Sequence, residues 1–262
     1  MQSVQIQIDP FFIPYEAYID PHSLPDQFTL MIDKPHPLCV LAVEHLQLHL
    51  TTQEEWSHNF GLSNKNQEGA IIGKMFGVLI VKTQQNQIGY LAAFSGKLAG
   101  GNHHAKFVPP VFDALTEKSF LNNGMKELTR INLEIKDQEQ RKHNADDEQI
   151  KLLKRARRSN SMALQKELFD HYHFLNQAGE LKSLNELFNK RSRKPPSGAG
   201  ECAAPKLLQY AFQHNMKPLG MAEFWWGQSP KSDFWKHGHY YPCCVEKCEP
   251  VLAHMLAGID DN

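Results

Sequence analysis

The chain has no apolar run near the roughly 20 residues that a membrane span needs. Its first residues, Met1-Gln2-Ser3-Val4-Gln5-Ile6, carry neither a basic start nor an apolar core of the kind a secretory leader has. Net charge is also scarce: the formal value is -1, so no global field draws the protein to nucleic acid or to a membrane surface. Any contact with RNA has to come from a local basic patch. Cysteine is sparse and odd in number, with Cys39, Cys202, Cys243, Cys244 and Cys248, four of them in the last quarter. Without a secretory leader these read as cytoplasmic thiols or metal ligands and not as disulfides. A bond between the neighbours Cys243 and Cys244 would be strained. What is present is enough for a globular core: 262 residues, 41% hydrophobic and 22% charged, with no internal repeat.

The first 37 residues are rich in proline and aromatics, which argues for an irregular arm packed on a surface. From Pro37 to Leu50 the apolar residues Leu38, Cys39, Ala42, Val43, Leu46 and Leu50 recur at helical steps. Val40 and Leu41 widen the stripe and leave a short buried strand as the alternative there. Lys74–Val81 and Ile88–Phe94 read as two strands joined by a short polar turn, hence an antiparallel hairpin. Their near-continuous apolarity predicts central strands covered on both faces. The Gly-rich segment from Ser95 to His104 reads as a loop.

Between Asp113 and Lys190 charges crowd in. Leu128, Ile131 and Ile135, then Ile150 and Leu153, then Leu164, Leu168, Tyr172 and Leu175 follow helical spacing. This predicts a long helix or helical hairpin, with its turn at Asn144-Ala145-Asp146-Asp147. The stripe fails around Gln138–Lys142, which argues against a sustained coiled coil. A basic Pro/Gly-rich linker follows from Arg191 to Gly200. Ala203–Gln213 reads as a helix, Met216–Trp226 as a strand and Cys248–Leu256 as a helix. The expected fold is α/β of the α+β kind: a small mixed sheet, a β-hairpin and a long charged helical insertion. The division is 1–114 for arm, helix and hairpin, 115–195 for the insertion, and 196–262 for the C-terminal part, which packs on the hairpin as one domain with 1–114.

The chemistry-bearing residues concentrate late. Cys202 opens a helix, and Cys244 and Cys248, four residues apart, share a face of the next. Zinc takes four tetrahedral ligands, so these three thiolates need one more group, with His237, His239 or water as candidates. Cys243 is an alternative to Cys244. The plain alternative is that the cysteines are small buried apolar residues. The order β-β-α-β-α, with cysteines at both helix starts, is similar to the cytidine-deaminase-like fold. In that fold a Glu two residues after the first ligand shuttles protons. Here that position is Ala204, and Glu201 precedes the cysteine instead, so zinc-dependent hydrolysis is the minority expectation, with Glu201 its only acid/base candidate. The paired histidines, including His103-His104, read as solvated loop residues unless cysteines lie near.

Two basic runs, Lys151–Arg158 and Lys190–Lys194, supply the RNA-contact candidates Lys154, Arg155, Arg157, Arg158, Arg191, Arg193 and Lys194. Their alternative is a solvated helix face and linker. Phe224-Trp225-Trp226 and Trp235 would stack on bases if exposed, or pack the core if buried.

Six stretches together resemble one family: Gly73–Leu79, Gly89–Leu98, Phe107–Asp113, Gly200–Gln209, Met221–Gly227 and Tyr241–Pro250. They are similar to the long N-terminal extension of a bacterial subgroup of RluA-type pseudouridine synthases, and they span nearly the whole chain. The resemblance implies a role in RNA modification, with rRNA or tRNA and an RluA-type catalytic domain, in cis or in trans, as partners. That catalytic domain carries a Gly-Arg-Leu-Asp-type motif. No Arg-Leu-Asp occurs in this chain, so the expectation is an accessory module with no catalytic residue of its own for that reaction.

Overall fold

In the computed structural model, residues 9–28, 34–63, 69–113, 116, 119–140, 147–189 and 194–259 are described. Proline at the first turn and the His36 Nδ1, which accepts a hydrogen bond from the Leu38 amide at 3.3 Å, start helix α1 (Pro37–Thr52). Its buried residues are the same six that helical spacing marks, and Val40 and Leu41 lie within the helix, so no strand forms there. Strands β2 (Lys74–Lys82) and β3 (Ile88–Phe94), which follow a short β1 (Ile13–Pro14), form the expected antiparallel hairpin, with Phe76 opposite Phe94 and Lys82 opposite Ile88.

The insertion comprises helices α2 (Phe120–Gln140) and α3 (Asp147–His171), strands β4 (His173–Leu175) and β5 (Leu181–Ser183), and the short helix α4 (Leu184–Asn189). Most of the proposed turn, Asn144 to Asp146, lies outside the described residues. The expected helical stripe through Tyr172 and Leu175 is corrected: α3 stops at His171, and Leu175 stands in a strand. Asn176 causes the change of direction. Its Oδ1 accepts from the Glu180 amide at 2.8 Å and its carbonyl from the Gly179 amide at 3.0 Å, closing a tight β4–β5 turn. At the base of the insertion the His171 ring stacks between Phe112 and Phe120, each at 4.8 Å.

Helix α5 (Ala203–Gln213), strand β6 (Lys217–Trp226), a short β7 (Tyr240–Tyr241) and helix α6 (Val245–Met255) complete the fold. The sheet order is β1-β3-β2-β6-β7. Every pair of named strands is antiparallel, so the expected mixed sheet is corrected. The parallel contact among described residues is an isolated bridge between Ala92 and Phe107. The α+β class holds.

Side-chain alternation divides the sheet into two faces. Leu79, Val81, Leu91, Ala93 and Met221 pack with α5 and α6 in one core. Phe76, Val78, Ile80, Tyr90, Ala92, Ala222, Phe224 and Trp226 pack with α1 in the other. Phe76 and Phe224 are fully buried and stack at 5.9 Å across β2 and β6. Both faces are thus covered, as the apolar strands predict. The sheet joins a hairpin from the first half of the chain to a strand from the last quarter, and the helical insertion stands between them in sequence.

Candidate functional site

Two helices begin beside one another on the α5/α6 face. Cys202 is the N-cap residue of α5 and Cys244 that of α6, and neither side chain caps its own helix. Cys248 lies one turn into α6 and is fully buried. Gly200 admits the approach to α5. Its φ is +82°, and a Cβ there would stand 2.5 Å from the Phe174 ring. Gly77 does the same on β2, where a Cβ would meet Ala203 at 3.0 Å. The helix N-termini that converge here present first-turn amides without intrahelical partners and carry partial positive charge.

The structure brings Cys202, Cys244 and Cys248 together: each thiol interacts directly with the other two. The Cys202 thiol is pushed up, first by donating toward Cys244 and then toward Cys248, with burial adding to both. Cys244 is pushed down, first by Cys202 and then by Cys248, against a burial effect of opposite sign, with Lys247 also favouring its thiolate. Cys248 is pushed up to about 12, where Cys202 pulls down but Cys244 and burial outweigh it. Of the three thiols, Cys244 is the one whose thiolate form these contacts favour. These contacts are not yet a coordination shell: among the described residues no group of three or more His, Cys, Asp and Glu side chains is arranged to hold a metal ion.

Glu223 completes the surroundings, and sequence reading missed it. It lies on β6, 3% exposed, on the cysteine side of the sheet. Its Oε1 accepts from the Ala204 amide at 3.1 Å. Burial raises its pKa to about 8, Cys244 adds to the rise, and hydrogen bonds from the Ala204 amide and the Cys243 thiol oppose it. The one signal in the sequence was a carboxylate set in an otherwise apolar strand. Cys243 is buried beside it, 3.9 Å from the Met221 sulfur.

Lys206 was also missed. It is 3% exposed, and its Nζ donates to the carbonyls of Phe94 at 2.8 Å and Gly96 at 3.0 Å. Burial lowers its pKa to about 8. Glu201, the acid/base candidate of the hydrolase expectation, accepts from the Tyr172 hydroxyl at 3.1 Å.

His237 is not brought to the cysteines. It is exposed, its Nδ1 accepts from the Gly227 amide at 3.0 Å, and its ring lies 4.4 Å from Trp226. Trp226 belongs to the α1 face, across the sheet from the thiols. Adjacency in sequence misled here, because β7 turns the segment between the histidine and the cysteines. His103 pairs with Asp113 at 2.8 Å. Of the aromatic cluster, Phe224 and Trp226 are core, while Trp225 is half-buried and stacks on Trp235 at 5.1 Å.

The basic residues of α3 line an open groove of about 650 Å³ together with α2. Lys154, Arg155, Arg157 and Arg158 stand there beside Asn132 and Ser161. Lys154 pairs with Glu139 at 2.8 Å, and Arg157 donates to Asn132 Oδ1 at 3.1 Å. Among the described residues Arg155 and Arg158 enter no ion pair. Lys194 is exposed, while Arg191 and Arg193 lie outside the described residues.

No family model, curated protein or solved structure matches the chain. Among the described residues no helix is long and apolar enough to cross a membrane.

Proposed function

We propose that the chain is a cytoplasmic RNA-binding accessory module of an RluA-type pseudouridine synthase, which positions rRNA or tRNA for a catalytic domain elsewhere. The observation that carries the reading is the α2–α3 groove. It gathers four cations on one side of a helical hairpin in a chain whose net charge is only -1, and three of the four, Arg155, Arg157 and Arg158, have no ion-pair partner among the described residues. Unpaired guanidinium groups at that spacing suit phosphates, with affinity gained from counterion release. The six stretches that resemble the N-terminal extension of RluA-type synthases support the reading from the sequence.

The test is binding of bulk tRNA and of a ribosomal RNA fragment across a salt series. R155E/R158E should weaken binding of both RNAs at least about tenfold and lower the salt slope by roughly 2, one per lost phosphate contact. Affinity that ignores both salt and these arginines overturns the proposal. The zinc-dependent hydrolase reading has less support. Ala204 cannot transfer a proton, Glu201 is engaged by Tyr172, and Glu223 is too enclosed to meet a substrate.

A further inference from the structure

We propose that Cys202, Cys244, Cys248 and Glu223 form a closed structural site for a thiophilic divalent cation of the zinc class, with Glu223 as fourth ligand in the place that the sequence suggests for His237. The inference does not depend on RNA binding.

Four observations carry it. Three thiols from two helix starts already face one another, so the donor set is assembled by the backbone. The two N-cap cysteines are not spent on capping, so rotation about one bond can turn each sulfur toward a common centre without moving either helix. Tetrahedral zinc with sulfur bonds of about 2.3 Å sets its thiolates nearly 4 Å apart, a separation that thiols in direct contact approach. The fourth observation is Glu223: its carboxyl stands buried beside this sulfur-rich site, hydrogen-bonded to the Ala204 amide and the Cys243 thiol, and among the described residues it enters no ion pair. The nearby buried cation, Lys206, spends its donors on two carbonyls instead. A divalent ion would take this carboxyl as a ligand by displacing its proton, supplying in the interior the cation that a buried carboxylate needs.

The donor chemistry sets the class of metal. Three thiolates and one carboxylate select zinc or a similarly soft ion over magnesium or calcium, which require oxygen shells. Binding displaces thiol protons and is therefore coupled to pH. Cys248 and Glu223 are buried and Cys202 and Cys244 half-buried, and four protein ligands would fill a tetrahedral shell, so the ion would fasten two helices to the sheet.

The full chain, purified under reductant, should bind one equivalent of zinc in competition with a chromophoric chelator. With cobalt in place of zinc it should show thiolate-to-cobalt charge transfer and tetrahedral visible bands. C202S, C244S and C248S should each lose stoichiometric binding. Glu223→Gln should weaken affinity by about 10- to 100-fold, and H237A should leave it unchanged. If the serine variants fold poorly, the cobalt spectrum of the wild type and the Glu223→Gln and H237A affinities still decide the matter. Absence of zinc at saturating metal, a cobalt spectrum without thiolate bands, or affinity lost with His237 and kept with Glu223→Gln would each overturn the proposal. So would finding the reduced thiols consumed as a disulfide in place of metal binding.

Discussion

Lys206 shows how one side chain can hold a loop to a helix at electrostatic expense. Its ammonium is nearly enclosed, yet it closes two carbonyls at the end of β3 that have no other side-chain donor described. K206M leaves both acceptors unmet, which should cost about 1–3 kcal/mol for each carbonyl left unsatisfied, offset in part by removing a buried charge. The pH dependence separates the two effects. The folded lysine releases its proton near pH 8 while the unfolded one holds it to 10.5. Between these values the unfolded state binds more protons, so stability rises with pH. Urea denaturation at pH 8 and pH 10 should therefore show the gap between wild type and K206M widening with pH. A gap that stays constant or narrows would mean that the folded lysine keeps its proton through that range.

At the scale of elements, helical periodicity found what packing later used. The six apolar positions of α1 are its six buried residues, and Ile131, Ile135 and Ile150 are the buried seam of the insertion. I135A removes contacts between α2 and α3, each of which has few neighbours besides the other. Amide exchange in both helices should speed up by about 30-fold or more, for a local loss of about 2 kcal/mol or more, while β2 and β6 stay protected. The three-cysteine grouping was equally legible, because helix starts and a four-residue spacing are local features. The place of Glu223 was not. Glu223 reaches the site through the register of β6 against β2, with Glu223 opposite Gly77, and strand register over such a separation leaves no local trace. The β4–β5 turn was lost for a related reason: Leu164, Leu168, Tyr172 and Leu175 fit a helical period, and only Asn176 and Gly179 broke it.

At the scale of the molecule, β4 and α4 pack in the core with α5 and α6, while the α2–α3 hairpin is joined to the rest through a narrow base. The Phe112–His171–Phe120 stack holds its two ends together. Replacing residues 122–165 by a short Gly/Ser link should leave a cooperatively folding sheet domain, seen as a single thermal transition with intact near-ultraviolet dichroism, that has lost RNA affinity. Insolubility of the shortened chain would show that the helices also protect the sheet. The same stack bears on how the protein comes to be folded at all. Strand β2 emerges early in synthesis but its partner β6 arrives late, with Lys82 finally opposite Lys217. Until then one edge of a very apolar hairpin stands unpaired, the condition under which nascent chains associate wrongly. A helical hairpin that forms quickly and pins its own ends shortens the effective loop that β6 must close, and so lowers the entropy lost in the slowest step.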